Sequence, residues 1–461
     1  MGSMSPQAMP EVRSPYAGKR LSVGTHLALA AYWFGSNLLW GALLVVLLPK
    51  QIEDMEPTRR GEYLGLAFSL AAIVALVVPL IAGGVSDRCA SRWGRRRPFI
   101  LWGTLTTLAG LWGMLHFARQ LTFWPFLGAY CVVQLGTNVA TAAYSGIIPD
   151  LVPEDQRGTA SGYMAFLSQV GTLTGALLSG PMAQAGRLEV AYLLVGCGLT
   201  LAMLATVLGV REIPLPYKPP RVTVLQHLRS LWIDPRKHPD FAWVWLTRAL
   251  VMTGFYAVQP FVQYYLRDVI GVATPATTAS EMLALILLGA TASSFVGGAL
   301  SDRIGRKKVV YLANGTIAAM ALLLAFCHTL EQALAVGIVF GLGYGAYISV
   351  DWALGTDVLP SRKDAGKDMA VWHISMVLPQ TIAPAGAGFL LGAFGTSPNL
   401  AAVTSMALDL VGRALGWLRW IDPGFGAILE YPPIAYGAVF TVAAFCLGLG
   451  AVLLRNVRGA R

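Results

Sequence analysis

Arg248 and Asp351 carry charge where the chain around them carries none. Arg248 is the one charged residue of 241–266 and Asp351 the one charged residue of 332–356. An ionised side chain inside an apolar run is expensive to hold in hydrocarbon, so function is the default reading for both. Together they suggest one kind of chemistry, the taking up and release of a proton. Removal from water opposes the carboxylate's charge, a nearby guanidinium supports it, and separating the two tips the balance. At 1.5 Å per residue both lie roughly 9–10 Å from the same end of their runs. Asp351 is therefore expected to be a coupling acid and Arg248 its partner, the plainer alternative being a static ion pair that ties one segment to another. His373 is the next group able to titrate, though it reads equally well as a hydrogen-bonded core residue.

Neutral hydrogen-bonding groups form a second set. On a helical wheel of about 100° per residue, Gln134, Asn138, Thr141 and Ser145 fall within roughly 60°, and Arg248, Tyr256, Gln259 and Gln263 within roughly 80°. Trp33, Ser36, Asn37 and Trp40 form a similar group, as do Tyr344, Tyr347 and Asp351, while His373 and Gln380 stand seven apart in "WHISMVLPQ". A sugar is a neutral disc with hydroxyls on its rim and apolar faces, so its site needs amides for paired hydrogen bonds and rings for stacking. Asn37, Gln134, Asn138, Gln259, Gln263 and Gln380 supply amides, and Trp33, Tyr256 and Tyr347 supply rings. Any one of them could be helix-to-helix glue worth about 0.6 kcal/mol; the ensemble favours binding. A site for lipophilic drugs would be lined by Met and Phe, which does not describe the stripes at 122–149 and 241–266.

These residues need elements to hold them, and composition says which. The chain of 461 residues is 55% hydrophobic with 50 glycines and a mean hydropathy of +0.59, far from a soluble domain and suited to close helix packing. A bilayer core needs roughly 20 apolar residues per helix. Twelve stretches qualify: 25–49, 62–84, 98–117, 122–149, 158–184, 189–210, 241–266, 278–300, 308–328, 332–356, 368–393 and 432–454. The N-terminal segment lacks an apolar core followed by a cleavage site and does not read as a signal peptide. The net charge of +10 would suggest nucleic acid in a soluble protein. Here 25 of the 34 Lys and Arg fall on one side if the N-terminus is cytoplasmic, 8 on the other and Arg248 within a span. Positive-inside placement then predicts two cytoplasmic termini, and no nucleic-acid partner is expected. Five scattered cysteines without a C-x-x-C pair suggest neither disulfides nor a metal, and no cofactor is expected. Gly341-Leu-Gly-Tyr-Gly345 lies inside a span and reads as a helix contact rather than a phosphate loop.

The basic clusters repeat. Gly83-Gly-Val-Ser-Asp87-Arg88 is followed, after some intervening residues, by Gly94-Arg95-Arg96-Arg97. Gly298-Ala-Leu-Ser-Asp302-Arg303-Ile-Gly305-Arg306-Lys307 stands 215 positions further on. A half-chain repeat with six spans on each side describes two parallel six-helix bundles. The expected organisation is a cytoplasmic tail (1–24), a first bundle (25–210), a proline-rich basic linker (211–240), a second bundle (241–455) with an extended outer loop at 394–431, and a short tail (456–461). Part of that loop, 400–420, is amphipathic and suits the membrane surface.

These repeated motifs resemble the Gly-x-x-x-Asp-Arg-x-Gly-Arg-Arg/Lys signature of the major facilitator superfamily, and the resemblance covers nearly the whole chain. It implies an all-α fold of twelve transmembrane helices in a cell membrane, working by alternating access and not as an enzyme. It also implies gate roles for Gly83, Asp87, Arg88, Gly94, Arg95, Gly298, Asp302, Arg303, Gly305 and Arg306, with Asp87 and Asp302 latching the inner side and the arginines also anchoring topology. "SDRCASRWGRRRPFI" (86–100), "PDLVPEDQRGTASGYM" (149–164) and the His373/Gln380 pair are similar to the sucrose–proton symporter group of the glycoside-pentoside-hexuronide branch. That likeness implies a sucrose- or maltose-like glucoside and a proton as partners, in a monomer. The chain departs from the group at two positions. Gln134 stands where those symporters carry an acid and Ser145 where they carry an arginine, while Asn138 matches. Span two has no acid beyond Glu62 at its edge, so no sodium site is expected there.

Overall fold

Long apolar runs have one economical solution in lipid, the helix, because it satisfies every backbone group within the segment. The computed structural model describes residues 15–87, 89–153, 156–212, 214, 233–358, 360, 365–396 and 433–457, and its regular structure is helical. The first six rods are α1 Val23–Met55, α2 Arg60–Asp87, α3 Arg97–Arg119, α4 Phe123–Tyr144, α5 Arg157–Gln184 and α6 Leu188–Gly209. The second six are α7 Pro239–Asp268, α8 Pro275–Ile304, α9 Arg306–Leu324, α10 Leu330–Asp357, α11 Ala365–Thr396 and α12 Pro433–Leu453. Eleven of these are long and apolar enough to cross a membrane; the other, α5, is itself 28 residues long.

The first rod outruns its apolar stretch (25–49) by more than a turn and the eighth (278–300) by about one, because polar residues can cap a helix once it leaves hydrocarbon. Ser22 Oγ accepts from the Thr25 N–H at 3.2 Å, and Thr329 and Gln332 form a reciprocal capping box at the start of α10. Proline occupies the first turn of α3, α7 and α8, where its missing N–H does no harm. The span predicted at 122–149 ends instead at Tyr144, followed by a separate short helix, Ile147–Leu151. The loop at 394–431 and most of the linker at 211–240 lie outside the described residues.

The rods assemble as two six-helix bundles, α1–α6 and α7–α12. Within each, small residues bring backbones together. Gly341 and Gly345 of α10 lie against the backbone of Ile286 and Ala290 on α8, where any side chain would collide, so the glycine run is a helix contact. Tyr16 Oη accepts from the Arg211 N–H at 2.9 Å and Lys307 bonds the Val457 carbonyl. Both ends of the described chain therefore lie at one end of the bundle, called here the terminal end. Contacts joining the halves gather at the opposite, distal end. Gly61 and Gly65 of α2 meet Leu391 and Gly388 of α11, Gly180 of α5 meets Ser280 and Ala276 of α8, and the Ala276 N–H donates to Gln184 Oε1 at 3.4 Å.

Candidate functional site

Arg248 of α7 and Asp351 of α10 meet as the spacing predicts. The Arg248 Nη1 to Asp351 Oδ2 distance is 2.7 Å, with the side chains 1% and 2% exposed. The Tyr347 hydroxyl, one turn before Asp351 on the same helix, donates to Asp351 Oδ1 at 2.9 Å. α11 completes the enclosure: the guanidinium lies 4.7 Å from the Trp372 ring centroid, and Arg248 Nη2 is 3.7 Å from the Met376 sulfur. Trp245 of α7 donates its indole N–H to the Val371 carbonyl at 2.9 Å, pinning α7 to α11 beside the pair. A separate apolar cluster built from Phe241, Val244, Val251, Val350 and Trp372 surrounds it. Cation–π contact and a neighbouring opposite charge each help a guanidinium tolerate loss of water. Such a site can hold a charge pair or, once the carboxylate is protonated, release the arginine.

The amide stripes are less simply placed. In α4 the Asn138 amide donates to Gln134 Oε1 at 3.0 Å, and Gln134 Nε2 donates to the Tyr130 hydroxyl at 3.1 Å. In α1 the Asn37 amide donates to the Trp33 carbonyl at 2.8 Å, while the Trp33 ring stacks on Tyr144 at 5.8 Å, joining α1 to α4. Gln134 is buried, and Trp33, Asn37 and Asn138 are half-buried. The predicted stripe on α7 assumed one continuous α-helix, but Pro260 forces a 3-10 turn over Gln259–Phe261. Beyond it Gln263 is 1% exposed within the packed distal segment, whereas Tyr256 and Gln259 are half-buried. Gln259 lies with Phe255 and two methionines at an apolar cavity, so α7 does line a space of the kind the sequence was read as lacking. Gln380 is half-buried on α11, and the His373 side chain lies outside those described.

The terminal-end loop after α2 shows which motif residues do structural work. Gly94 and Gly305, equivalent in the repeat, adopt φ of +100° and +96°, the left-handed region that favours glycine. Arg95 pairs with Asp150. Arg96, expected with Arg95 and Arg97 to anchor the loop, is buried. Its Nε donates to Asp150 Oδ2 at 3.0 Å, its Nη1 to Ser86 Oγ at 2.9 Å and its backbone N–H to Glu212 Oε2 at 3.0 Å. Arg303 is exposed, Gly83 and Arg306 are half-buried, and the side chains of Asp87, Arg88 and Asp302, with Gly298, lie outside those described.

The distal end holds a charge cluster that sequence reading missed. Arg60 of α2 pairs with Glu53 of α1 and, across the halves, with Asp268 of α7. Arg267 reaches back to the same Glu53. The Tyr436 hydroxyl of α12 donates to Asp268 Oδ2 at 2.6 Å, and the Tyr264 hydroxyl donates to the Pro49 carbonyl at 2.8 Å. Glu53 and Asp268 stand 215 positions apart, the spacing of the motif repeat, so the acids at the ends of α1 and α7 are equivalent and share one arginine. That equivalence was the available signal.

Twelve long helices among the described residues, in two repeated halves joined at one end by ion pairs and holding a buried charge pair in one half, are the architecture of a membrane transporter. The chain belongs to the major facilitator superfamily: the family model described as MFS/sugar transport protein matches residues 60–412. It is 24% identical over 379 residues to the multi-drug resistance efflux pump PmrA of Streptococcus pneumoniae, covering 79% of this chain and 89% of that protein. It is 24% identical over 328 residues to the multidrug resistance protein MdtG of Enterobacter lignolyticus, covering 69% and 75%. Among solved structures, the nucleoside transporter NupG superposes with a TM-score of 0.62 at 12% identity, covering 94% of this chain and 98% of that one. A bacterial homologue of the human lysosomal transporter Spinster, inward-facing and unoccupied, gives 0.62 at 17% identity, covering 94% of each chain. At these identities the superpositions establish the shared fold. The protein is a multi-pass membrane transporter.

Proposed function

We propose that the protein carries a neutral sugar, a glucoside of the sucrose or maltose kind, by proton-coupled symport across the cell membrane. The observation that carries the coupling is the enclosed Arg248–Asp351–Tyr347 cluster, an acid with a cation and a hydroxyl in a buried site walled on one side by Trp372. The half-buried amides Asn37, Asn138 and Gln380, with Trp33, Trp40 and Tyr256, support a polyhydroxy ligand, as does the description of the matching family.

In this mechanism the ionised Asp351 holds Arg248, which braces α7 against α10. A proton reaching Asp351 cancels its charge and frees the guanidinium and the Tyr347 hydroxyl to reorganise, with sugar occupancy favouring that state. The Glu53–Arg60–Asp268 cluster joins the two halves on the distal side, so the arrangement is read as distally closed. With the termini cytoplasmic, the closed side is the outer one.

The substrate assignment is tested by purified protein in proteoliposomes offered labelled mono- and disaccharides beside a lipophilic cation. Saturable uptake of a disaccharide with exclusion of the cation supports it. No sugar uptake together with transport of the cation overturns it in favour of an exporter of lipophilic compounds.

A further inference from the structure

A partly open apolar cavity lies between Phe255 and Gln259 of α7, Met282 of α8, Met320 of α9 and Phe340 of α10, and Val45 of α1 closes one side. Gln259 brings the one conventional polar side chain to its wall. A sugar could not satisfy its hydroxyls there, and a space lined this way stays dry and takes apolar molecules. Its methionines are unbranched and polarisable, able to close around a slender guest. One wall is more rigid, because Phe255 stacks on Tyr344 with centroids 4.5 Å apart.

The cavity is also a joint. Val45 belongs to the first bundle and the other five residues to the second, so the two halves build it together. Both halves contribute irregular helix there. Val45 lies in a π-helical turn, Leu43–Leu47, and Gln259 in the 3-10 turn Gln259–Phe261. At the repeat spacing of 215 these turns are equivalent. Breaks in helical winding are where segments re-register when they move. Rocking of the halves would withdraw Val45 and change the cavity's shape, so an occupant favours the arrangement in which its walls are together.

We propose that this cavity binds an unbranched alkyl chain, from a membrane lipid or a free uncharged lipophile, and that its occupancy holds the two halves in the distally closed arrangement. The proposal does not depend on the sugar reading, since neither of its tests uses transport.

Binding is tested on the full chain in proteoliposomes with two diazirine probes, a hexadecanol and a phosphatidylcholine, and mass-spectrometric mapping of the adducts. The site predicts labelling around Met282, Met320 and Phe340 at least fivefold above that at Leu288 and Leu312, which are exposed on the outer faces of α8 and α9. Labelling by hexadecanol alone identifies a free lipophile as the source, and labelling by the phospholipid shows that a lipid chain suffices; either supports the site. Ala279→Leu, which adds bulk at the cavity wall, should abolish the excess and leave the outer-face labelling unchanged, with Ala321→Leu as a second filling variant should the first not fold. The hold on conformation is read from spin labels at Val85 and Val296, both exposed toward the terminal end of opposite halves. Hexadecanol should narrow their distance distribution toward the distally closed population in the wild type and have no effect in the filled variant. Cavity labelling no greater than at the outer faces, labelling insensitive to both filling variants, or an unmoved distance distribution would each overturn the proposal.

Discussion

Arg60→Met isolates the distal latch, because methionine keeps a long apolar stem and removes the charge. Arg60 is 18% exposed and its cross-half partner Asp268 13%, and its guanidinium sits 5.0 Å from the Tyr264 ring centroid. Breaking a fully buried pair by removing one partner costs about 3–5 kcal/mol. Partial exposure screens this pair, and Arg267 still reaches Glu53 from the other half, so a loss of about 2 kcal/mol from the distally closed state is the reasoned figure. That is a roughly thirtyfold change in the ratio of distally closed to distally open molecules. Electron–electron distance measurements between labels at Leu121 and Thr274, which lie at the distal end of opposite halves, report the ratio directly. The wild type should show mainly the shorter separation and Arg60→Met a substantial longer component. Asp268→Asn should add little to Arg60→Met, because both remove the same link. A distribution unchanged by Arg60→Met, in protein that still binds ligand, would refute the latch.

Asn138→Ala should weaken sugar binding by about 1–3 kcal/mol by leaving a buried hydroxyl without its partner, read from equilibrium binding of the best substrate; unchanged affinity would remove Asn138 from the site. Arg96→Met should lower the thermal unfolding temperature of the detergent-solubilised protein markedly, since it removes a buried charge that bonds Ser86 and one of the two arginines paired with Asp150, leaving only Arg95 there. Arg92→Met, at an exposed position of the same loop, should stay within about 0.5 kcal/mol of the wild type. Burial pushes the Glu212 carboxyl up, while Arg96 and Arg97 act the other way. The folded state thus holds that proton more tightly, and the stability it contributes is fully present at low pH and lost as pH rises through the raised value. Glu212→Gln keeps an acceptor for the Arg96 N–H, so its advantage over the wild type in unfolding temperature should grow between about pH 4 and pH 7; a pH-independent difference would contradict this.

The spans and the Arg248–Asp351 pair were legible because each violates an average: long apolar runs make sense only in lipid, and an isolated charge inside one needs a partner at matching depth. Charges at span ends violate nothing, since topology alone accounts for them. That is why Arg60, Arg267 and Asp268 passed as loop residues, although they join the halves. Arg96 was grouped with Arg95 and Arg97 as a loop anchor, and its burial was not legible because it depends on Asp150 and Glu212, both remote in sequence. The α7 stripe is a different case. Pro260 was visible, but the wheel drawn through it took one continuous winding, which the 3-10 turn at Gln259–Phe261 interrupts before Gln263.

Sugar-induced proton movement tests the central claim most directly. Proteoliposomes in weak buffer, with the membrane potential clamped, receive an inward sucrose or maltose gradient while external pH is recorded. The account predicts that the wild type alkalinises the medium as sugar enters, and that Asp351→Asn loses the pH change while retaining exchange of labelled for unlabelled sugar. Sugar entry with no proton movement in the wild type, or an undiminished pH change in Asp351→Asn, would contradict it.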